Sequence, residues 1–192
     1  MAIHKCGWCV GDTLYEHYHD TEWGVPVYDD ATLFEFLILE TFQAGLSWIT
    51  ILRKRENFRE ALDNFDYKII SNYKEDKLES LRANPGIIRN KLKIMATVTN
   101  AQSFIKIQKE FGSFSTYIWN FVGGTPIQNA VENYKQAPAT TPISDALSKD
   151  LKKRGFKFTG STVIYAFMQA TGMVNDHELS CFRYDEIKTS TP

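Results

Sequence analysis

Cysteine is scarce, and three of them in 192 residues cannot close a disulfide framework among themselves. Long apolar runs are missing: the longest candidate, residues 36–52, is interrupted by Glu40, Gln43, Gly45 and Ser47, which argues against a membrane span. The chain opens Met-Ala-Ile-His-Lys-Cys with no apolar leader, so a soluble protein of a reducing cytoplasm is expected. An excess of either charge is missing too, because 22 Lys and Arg face 23 Asp and Glu for a formal net charge of −1. That balance removes any global pull toward nucleic acid or anionic membrane and leaves such affinity to a local patch. With 43% hydrophobic and 23% charged residues, intrinsic disorder and collagen-like scaffolds are excluded. Alternating strand patterns are scarce, and internal repeats and Gly/Ser-rich linkers are not visible.

Aromatic residues are abundant at 14%, enough to furnish a core and also to line a pocket. Helix signals dominate. Thr32 followed by Glu35 reads as a capping box, with Leu33, Leu37 and Ala44 then on one face. Residues 76–83 form a short helix that stops at Asn84-Pro85-Gly86. A longer one carries Ile94, Val98, Ala101 and Ile105 at i, i+4, i+7 and i+11 and ends at Gly112. Ser144 is placed to cap a helix with Leu147 and Leu151 that ends at Gly155. Ser161 is placed to cap another with Val163, Ile164, Phe167 and Met168 on one side, ending at Gly172. Residues 123–142 read as loop. The expected fold is one compact all-α domain spanning 1–192, with irregular segments at both ends.

Those ends hold every cysteine and histidine. His4, Cys6, Cys9, His17 and His19 lie in the first 19 residues, and His177 and Cys181 in the last 16. His177-Glu-Leu-Ser-Cys181 places two donors on one face if the segment is a helical turn. Imidazole and thiolate suit zinc, and four such ligands make a closed structural site. The simplest set takes Cys6 and His19 from residues 1–25 and His177 and Cys181 from residues 174–185. Other readings stand beside it. The cysteines are buried apolar residues, Cys6-Gly-Trp-Cys9 is a redox dithiol, or the zinc is catalytic with three ligands and an open position.

Glu40 shares the stripe of Leu33, Leu37 and Ala44, where an ionised carboxylate is expensive unless it is paired. It is either a capping or helix-bridging group or is held there for a task. Tyr15, Tyr18, Trp23 and Trp48 are its aromatic neighbours in sequence, and aromatic faces with one carboxylate suit a flat cationic guest. Residues 76–94 form a helix–turn–helix candidate in which Gly86, Arg89, Lys91 and Lys93 follow the turn. Backbone donors and basic side chains there can hold a DNA phosphate. Arg53-Lys-Arg55 and Lys152-Lys-Arg154 with Lys157 are further basic runs, each more often a solvated face.

Taken together, several words of the sequence resemble the bacterial 3-methyladenine DNA glycosylase I family, a branch of the helix-hairpin-helix glycosylases. They are Cys6-Gly-Trp8, Tyr18-His-Asp-Thr-Glu-Trp-Gly-Val-Pro26, Leu39-Glu-Thr-Phe-Gln-Ala-Gly-Leu-Ser-Trp48 and Lys54-Arg-Glu-Asn57. Gly86-Ile-Ile-Arg89, Ser144-Asp-Ala-Leu-Ser-Lys149, Leu151-Lys-Lys-Arg-Gly-Phe-Lys-Phe158 and Val174-Asn-Asp-His177 continue the likeness, which fails only over the last ten or so residues. The resemblance implies a helical enzyme of base excision repair that hydrolyses 3-methyladenine from double-stranded alkylated DNA. It implies a structural zinc on Cys6, His19, His177 and Cys181, with Cys9 a departure from the family pattern. It assigns the base-contacting acid to Glu40 and the stacking rings to Tyr18 and Trp48, with Tyr15 and Trp8 nearby. Gly45 and Leu46 fall at the DNA-facing edge. Between Lys91 and Val131 the only acid is Glu110, so no catalytic Asp follows the hairpin, and Lys91 and Lys93 read as phosphate contacts rather than nucleophiles. A monofunctional hydrolase without lyase activity is expected, acting as a monomer.

Overall fold

The computed structural model describes residues 4–189, and helices carry most of it. In chain order they are α1 (Thr13–Thr21), α2 (Asp30–Gln43), α3 (Trp48–Arg53), α4 (Arg55–Ala61), α5 (Tyr67–Ile70) and α6 (Glu75–Ala83). Then follow α7 (Lys91–Phe111), α8 (Phe114–Trp119), α9 (Pro142–Lys153), α10 (Ser161–Ala170) and α11 (Phe182–Thr189). No helix among the described residues is long and apolar enough to cross a membrane. The all-α expectation holds.

Helix α2 is the central element. Leu33, Phe34, Leu37, Ile38, Leu39 and Phe42 are buried on nearly all its sides, against α7, α8 and α10. Its start lies earlier than the Thr32–Glu35 reading: Asp29 caps it by accepting from the Ala31 and Thr32 amides. Glu35 is instead drawn sideways into ion pairs with Arg55 and Arg59. Asp30 reaches across to accept from the Phe114 and Ser115 amides, anchoring the first turn of α8.

Two other caps shift in the same direction. Helix α9 is capped by Thr141, with Ser144 the reciprocal partner three residues in, and α10 by Gly160 rather than Ser161. On α7 the buried face is Ile94, Ala101, Phe104 and Ile107, while Val98 and Ile105 are half-buried. Gly112 ends it with φ +87°, as read. The stretch 123–142 is not all loop. Residues Ile127–Gln128 (β1) pair in parallel with Val174–Asn175 (β2), extended by a bridge from Val131 to Glu178. This short ladder ties the long connection to the chain's C-terminal segment.

Candidate metal centre and base pocket

Cys6, His19, His177 and Cys181 come together from three elements, fully buried or nearly so, with one donor atom from each inside a 4.8 Å cluster. His19 lies in the last turn of α1 and Cys6 in the segment before it. His177 and Cys181 occupy a turn after β2, not the helical turn that their spacing suggested. The Cys181 sulfur lies 3.4 Å from His19 Nε2 and 3.7 Å from His177 Nδ1, and the Cys6 sulfur lies 3.5 Å from His177 Nδ1. A tetrahedral ion bound at about 2.3 Å to sulfur and 2.0–2.1 Å to nitrogen spaces those atoms about 3.6 Å apart. Those three separations therefore match the edges of such a tetrahedron.

The outer nitrogens of both rings are committed. His19 Nδ1 meets Asp20 Oδ1 at 2.8 Å and His177 Nε2 meets the Trp23 carbonyl at 3.0 Å, which leaves His19 Nε2 and His177 Nδ1 for an ion. The Glu178 amide donates to the Cys6 sulfur at 3.3 Å. Cys6 sharing its proton with Cys181 holds the Cys181 sulfur well below the usual thiol range, and both imidazoles add to that. Gly24 is required beside them: at φ +80°, a Cβ there would stand 2.9 Å from His177 Nε2. Cys9 lies outside the donor set. Its buried thiol donates to the Cys6 carbonyl, and burial pushes it up to about 11. The set can hold a metal ion.

Next to the cluster lies a cavity of about 210 Å³. Trp8, Tyr15, Tyr18, Trp23, Glu40 and Trp48 line it, together with Gln43, Tyr134, Ala137, Ala166, Gln169 and Asp176. Trp8 and Trp23 belong to both sites, with ring centroids 5.4 Å from His19 and 4.7 Å from His177 respectively. Glu40 sits one turn before the end of α2. The chain breaks at Gly45, whose φ is +84°, and re-enters helix at Trp48, which brings that ring to the same wall. Glu40 is 3% exposed and Oε2 has no hydrogen-bond partner; the Tyr18 hydroxyl and Trp48 Nε1 are likewise buried and unpartnered. Burial drives the Glu40 carboxyl well above the ordinary carboxylate range and the Tyr18 phenol well above its own. Tyr18 and Trp48 touch each other, with centroids 5.6 Å apart and planes 42° apart, so they form a corner rather than a parallel clamp.

The basic candidates divide. Arg89 and Lys91 are exposed and free of partners among the described residues. Lys93 is not a phosphate contact: it is 6% exposed, and its ammonium donates to the Phe42 carbonyl at 2.9 Å and to the Ala44 carbonyl at 2.7 Å. It caps the end of α2. The Gly86 amide is also spent, on Asn84 Oδ1 at 2.8 Å, while its carbonyl accepts from Lys54 and Asn57. Gly45 and Leu46 are exposed at the turn, Leu46 by 41%. Arg55 is buried between Glu22 and Glu35, and Glu110 is bound to Arg154. A second helix–turn–helix, α9 to α10 through residues 154–160, reads in sequence only as two separate helices.

Sequence reasoning did not find Tyr134, Ala137, Ala166, Gln169 or Asp176. Tyr134 and Ala137 arrive from the aperiodic stretch, held by the β1–β2 ladder and by Glu178 Oε1, which accepts from the Tyr134 amide. Ala166 and Gln169 are spaced i, i+3 on α10, the one signal that was available.

A helical domain with a Cys₂His₂ cluster beside an aromatic, carboxylate-bearing pocket is the class these features define. The methyladenine glycosylase family model matches residues 8–184, and the chain belongs to that family. It is 46% identical over 182 residues to DNA-3-methyladenine glycosylase 1 of Escherichia coli strain K12, covering 95% of this chain and 97% of that one. To DNA-3-methyladenine glycosylase of Haemophilus influenzae it is 46% identical, covering 92% and 96%. A crystal structure of 3-methyladenine DNA glycosylase I superposes with a TM-score of 0.91 at 48% identity, covering 93% of this chain and 98% of that one. A variant of such an enzyme in complex with 3-methyladenine superposes at 0.90 and 35% identity, covering 93% and 96%.

Proposed function

We infer that this chain is a DNA-3-methyladenine glycosylase that hydrolyses the N-glycosidic bond of 3-methyladenine in alkylated DNA, as one domain acting as a monomer. The observation that carries the reading is Glu40, a buried carboxylate without a donor in an aromatic hollow. Methylation at N3 makes adenine a cation and a good leaving group, so little protonation is needed. The protein must extrude the nucleotide from the duplex, at a few kcal/mol, and prefer the charged base. Trp48, Tyr18, Tyr15 and Trp8 supply ring surface to that base. Glu40 accepts a hydrogen bond from its exocyclic amine, and the cation restores the ionised carboxylate that burial disfavours. Neutral adenine offers no such compensation.

The C1′–N9 bond then breaks, and its electron pair neutralises the departing purine. Water adds its oxygen to the oxocarbenium-like sugar carbon and releases a proton. Leu46 and Gly45 stand at the exposed edge where the gap left by the nucleotide is filled, and Arg89 and Lys91 hold phosphates. Gly86 shapes their turn. We assign zinc to Cys6, His19, His177 and Cys181. Four protein donors would leave such an ion no position for a reacting water, and it would supply folding energy rather than chemistry. That closed donor set disfavours a catalytic-zinc hydrolase, and a pure binding module has no use for the unpartnered acid.

The test is chromatography of the free bases that methylated duplex DNA loses on incubation with the protein. Release of 3-methyladenine in excess over spontaneous loss is expected. Unchanged base loss overturns the reading.

A further inference from the structure

Glu40 is not the only polar wall of the pocket. On the α10 side Asp176, 3% exposed, accepts the Tyr165 hydroxyl on Oδ2 at 2.6 Å and the Asn129 amide on Oδ1 at 2.7 Å. Its Oδ2 also accepts Gln169 Nε2 at 2.8 Å. A carboxylate whose oxygens already accept other donors takes only an N–H from an amide, so Gln169 is turned one way round. Its Oε1 is then left with no protein donor among the described residues, on a side chain that lines the cavity. Ala166, three residues earlier on α10, lines the same cavity and adds only a methyl group to it.

We propose that Gln169, oriented by Asp176, is a second acceptor in the pocket and a specificity residue: it favours a purine with an amino group at position 6 over one with a carbonyl there. This rests on the glycosylase reading. An exocyclic amine has two N–H bonds, so two acceptors can both be satisfied by it. A 6-keto purine such as 3-methylguanine instead turns an oxygen toward acceptors, and leaving such groups facing each other unpaired is the costly outcome. Asp176 is proposed as a positioning residue, acting through the hydrogen bond it accepts from Gln169 Nε2. It also joins the wall to the β1–β2 ladder, since Asn129 follows β1 directly.

The experiment measures release of 3-methyladenine and 3-methylguanine from the same methylated duplex by wild type, Gln169→Leu and Asp176→Asn, each at matched melting temperature and metal content. Gln169→Leu is expected to slow 3-methyladenine release about tenfold and, because it removes the acceptor that opposes the 6-oxygen, not to slow 3-methylguanine release, so that the ratio of the two kcat/KM values falls at least tenfold. Asp176→Asn can donate to Gln169 Oε1 and let the amide turn round, so it moves the ratio the same way. A general loss of packing slows both bases alike and leaves the ratio fixed. Should Asp176→Asn fail to fold, Gln169→Leu decides alone. An unchanged ratio in Gln169→Leu overturns the proposal while the glycosylase reading stands; a wild-type protein that frees no 3-methyladenine overturns the reading itself.

Discussion

Glu40 loses its hydration when α2 packs into the centre of the fold, and no described residue gives Oε2 a donor in return. A buried polar group left that way costs about 1–3 kcal/mol, more when charged. Because burial raises the folded-state value, the ionised form is the one the empty protein resists. The sign follows: below the ordinary carboxylate range Glu40 is neutral folded or unfolded and costs little. As pH rises from there to the raised folded value the cost grows, and above it the cost is constant. Glu40→Gln has no charge to bury. Its melting temperature is expected to pull ahead of wild type as pH rises from 4 to 8, and a gap that does not change with pH contradicts the burial argument. Much of this was legible in sequence, since the i, i+4, i+7 stripe through Leu33 and Leu37 put an acid where apolar residues belong. The tilt between Tyr18 and Trp48 was not, because ring orientation is set by neighbours far along the chain.

Among the elements, charge misleads most easily. Lys91 and Lys93 look alike in sequence, yet α7 begins at Lys91 and its first turn carries Lys93 inward to the carbonyls ending α2. Lys93→Met is expected to lower stability by about 1–3 kcal/mol, because two carbonyls lose an ammonium donor, and to leave the salt dependence of DNA binding unchanged. Lys91→Ala is expected to do the reverse, reducing the slope of log K against log salt by about 1 with little loss of stability. Thermal melts and binding titrations from 50 to 200 mM salt separate the two, and a salt slope that responds to Lys93 instead contradicts the assignment. Helices α2, α6, α7, α9 and α10 were readable from periodicity and glycine or proline stops; α1, α3, α4, α5, α8 and α11 were not, and α1 and α11 occupy the ends that read as irregular. The caps were not, for Asp29, Thr141 and Gly160 each begin a helix before the residue that local pattern favours. The short parallel ladder left no periodic trace, since two residues are too few to alternate.

At the scale of the whole molecule, the ends of the chain do the work of a staple. His4 O accepts from the Phe182 amide, and the four donors lock residues from both termini around one point. Trp8 and Trp23 pack on the cluster's imidazoles and line the pocket, so the Cys/His cluster supports part of the pocket wall. Clustering of Cys and His at both termini made this site readable, and the commitment of each outer ring nitrogen was visible only in three dimensions. Cys181→Ser is expected to lose the metal, measured by elemental analysis. It should also cost several kcal/mol, at roughly 2–4 °C of melting temperature per kcal/mol for a chain of this size. Full metal retention with an unchanged melt contradicts the four-donor centre.

The central claim is that one acid among aromatic rings distinguishes a charged purine from a neutral one. The most direct measurement is the single-turnover rate of 3-methyladenine release by wild type and by Glu40→Gln, at saturating protein and across pH. The account predicts a wild-type rate that climbs with pH as Glu40 ionises, and a Glu40→Gln rate at least tenfold lower with that limb gone, while fold and metal content are intact. A variant that releases the base at the wild-type rate with the same pH limb contradicts it.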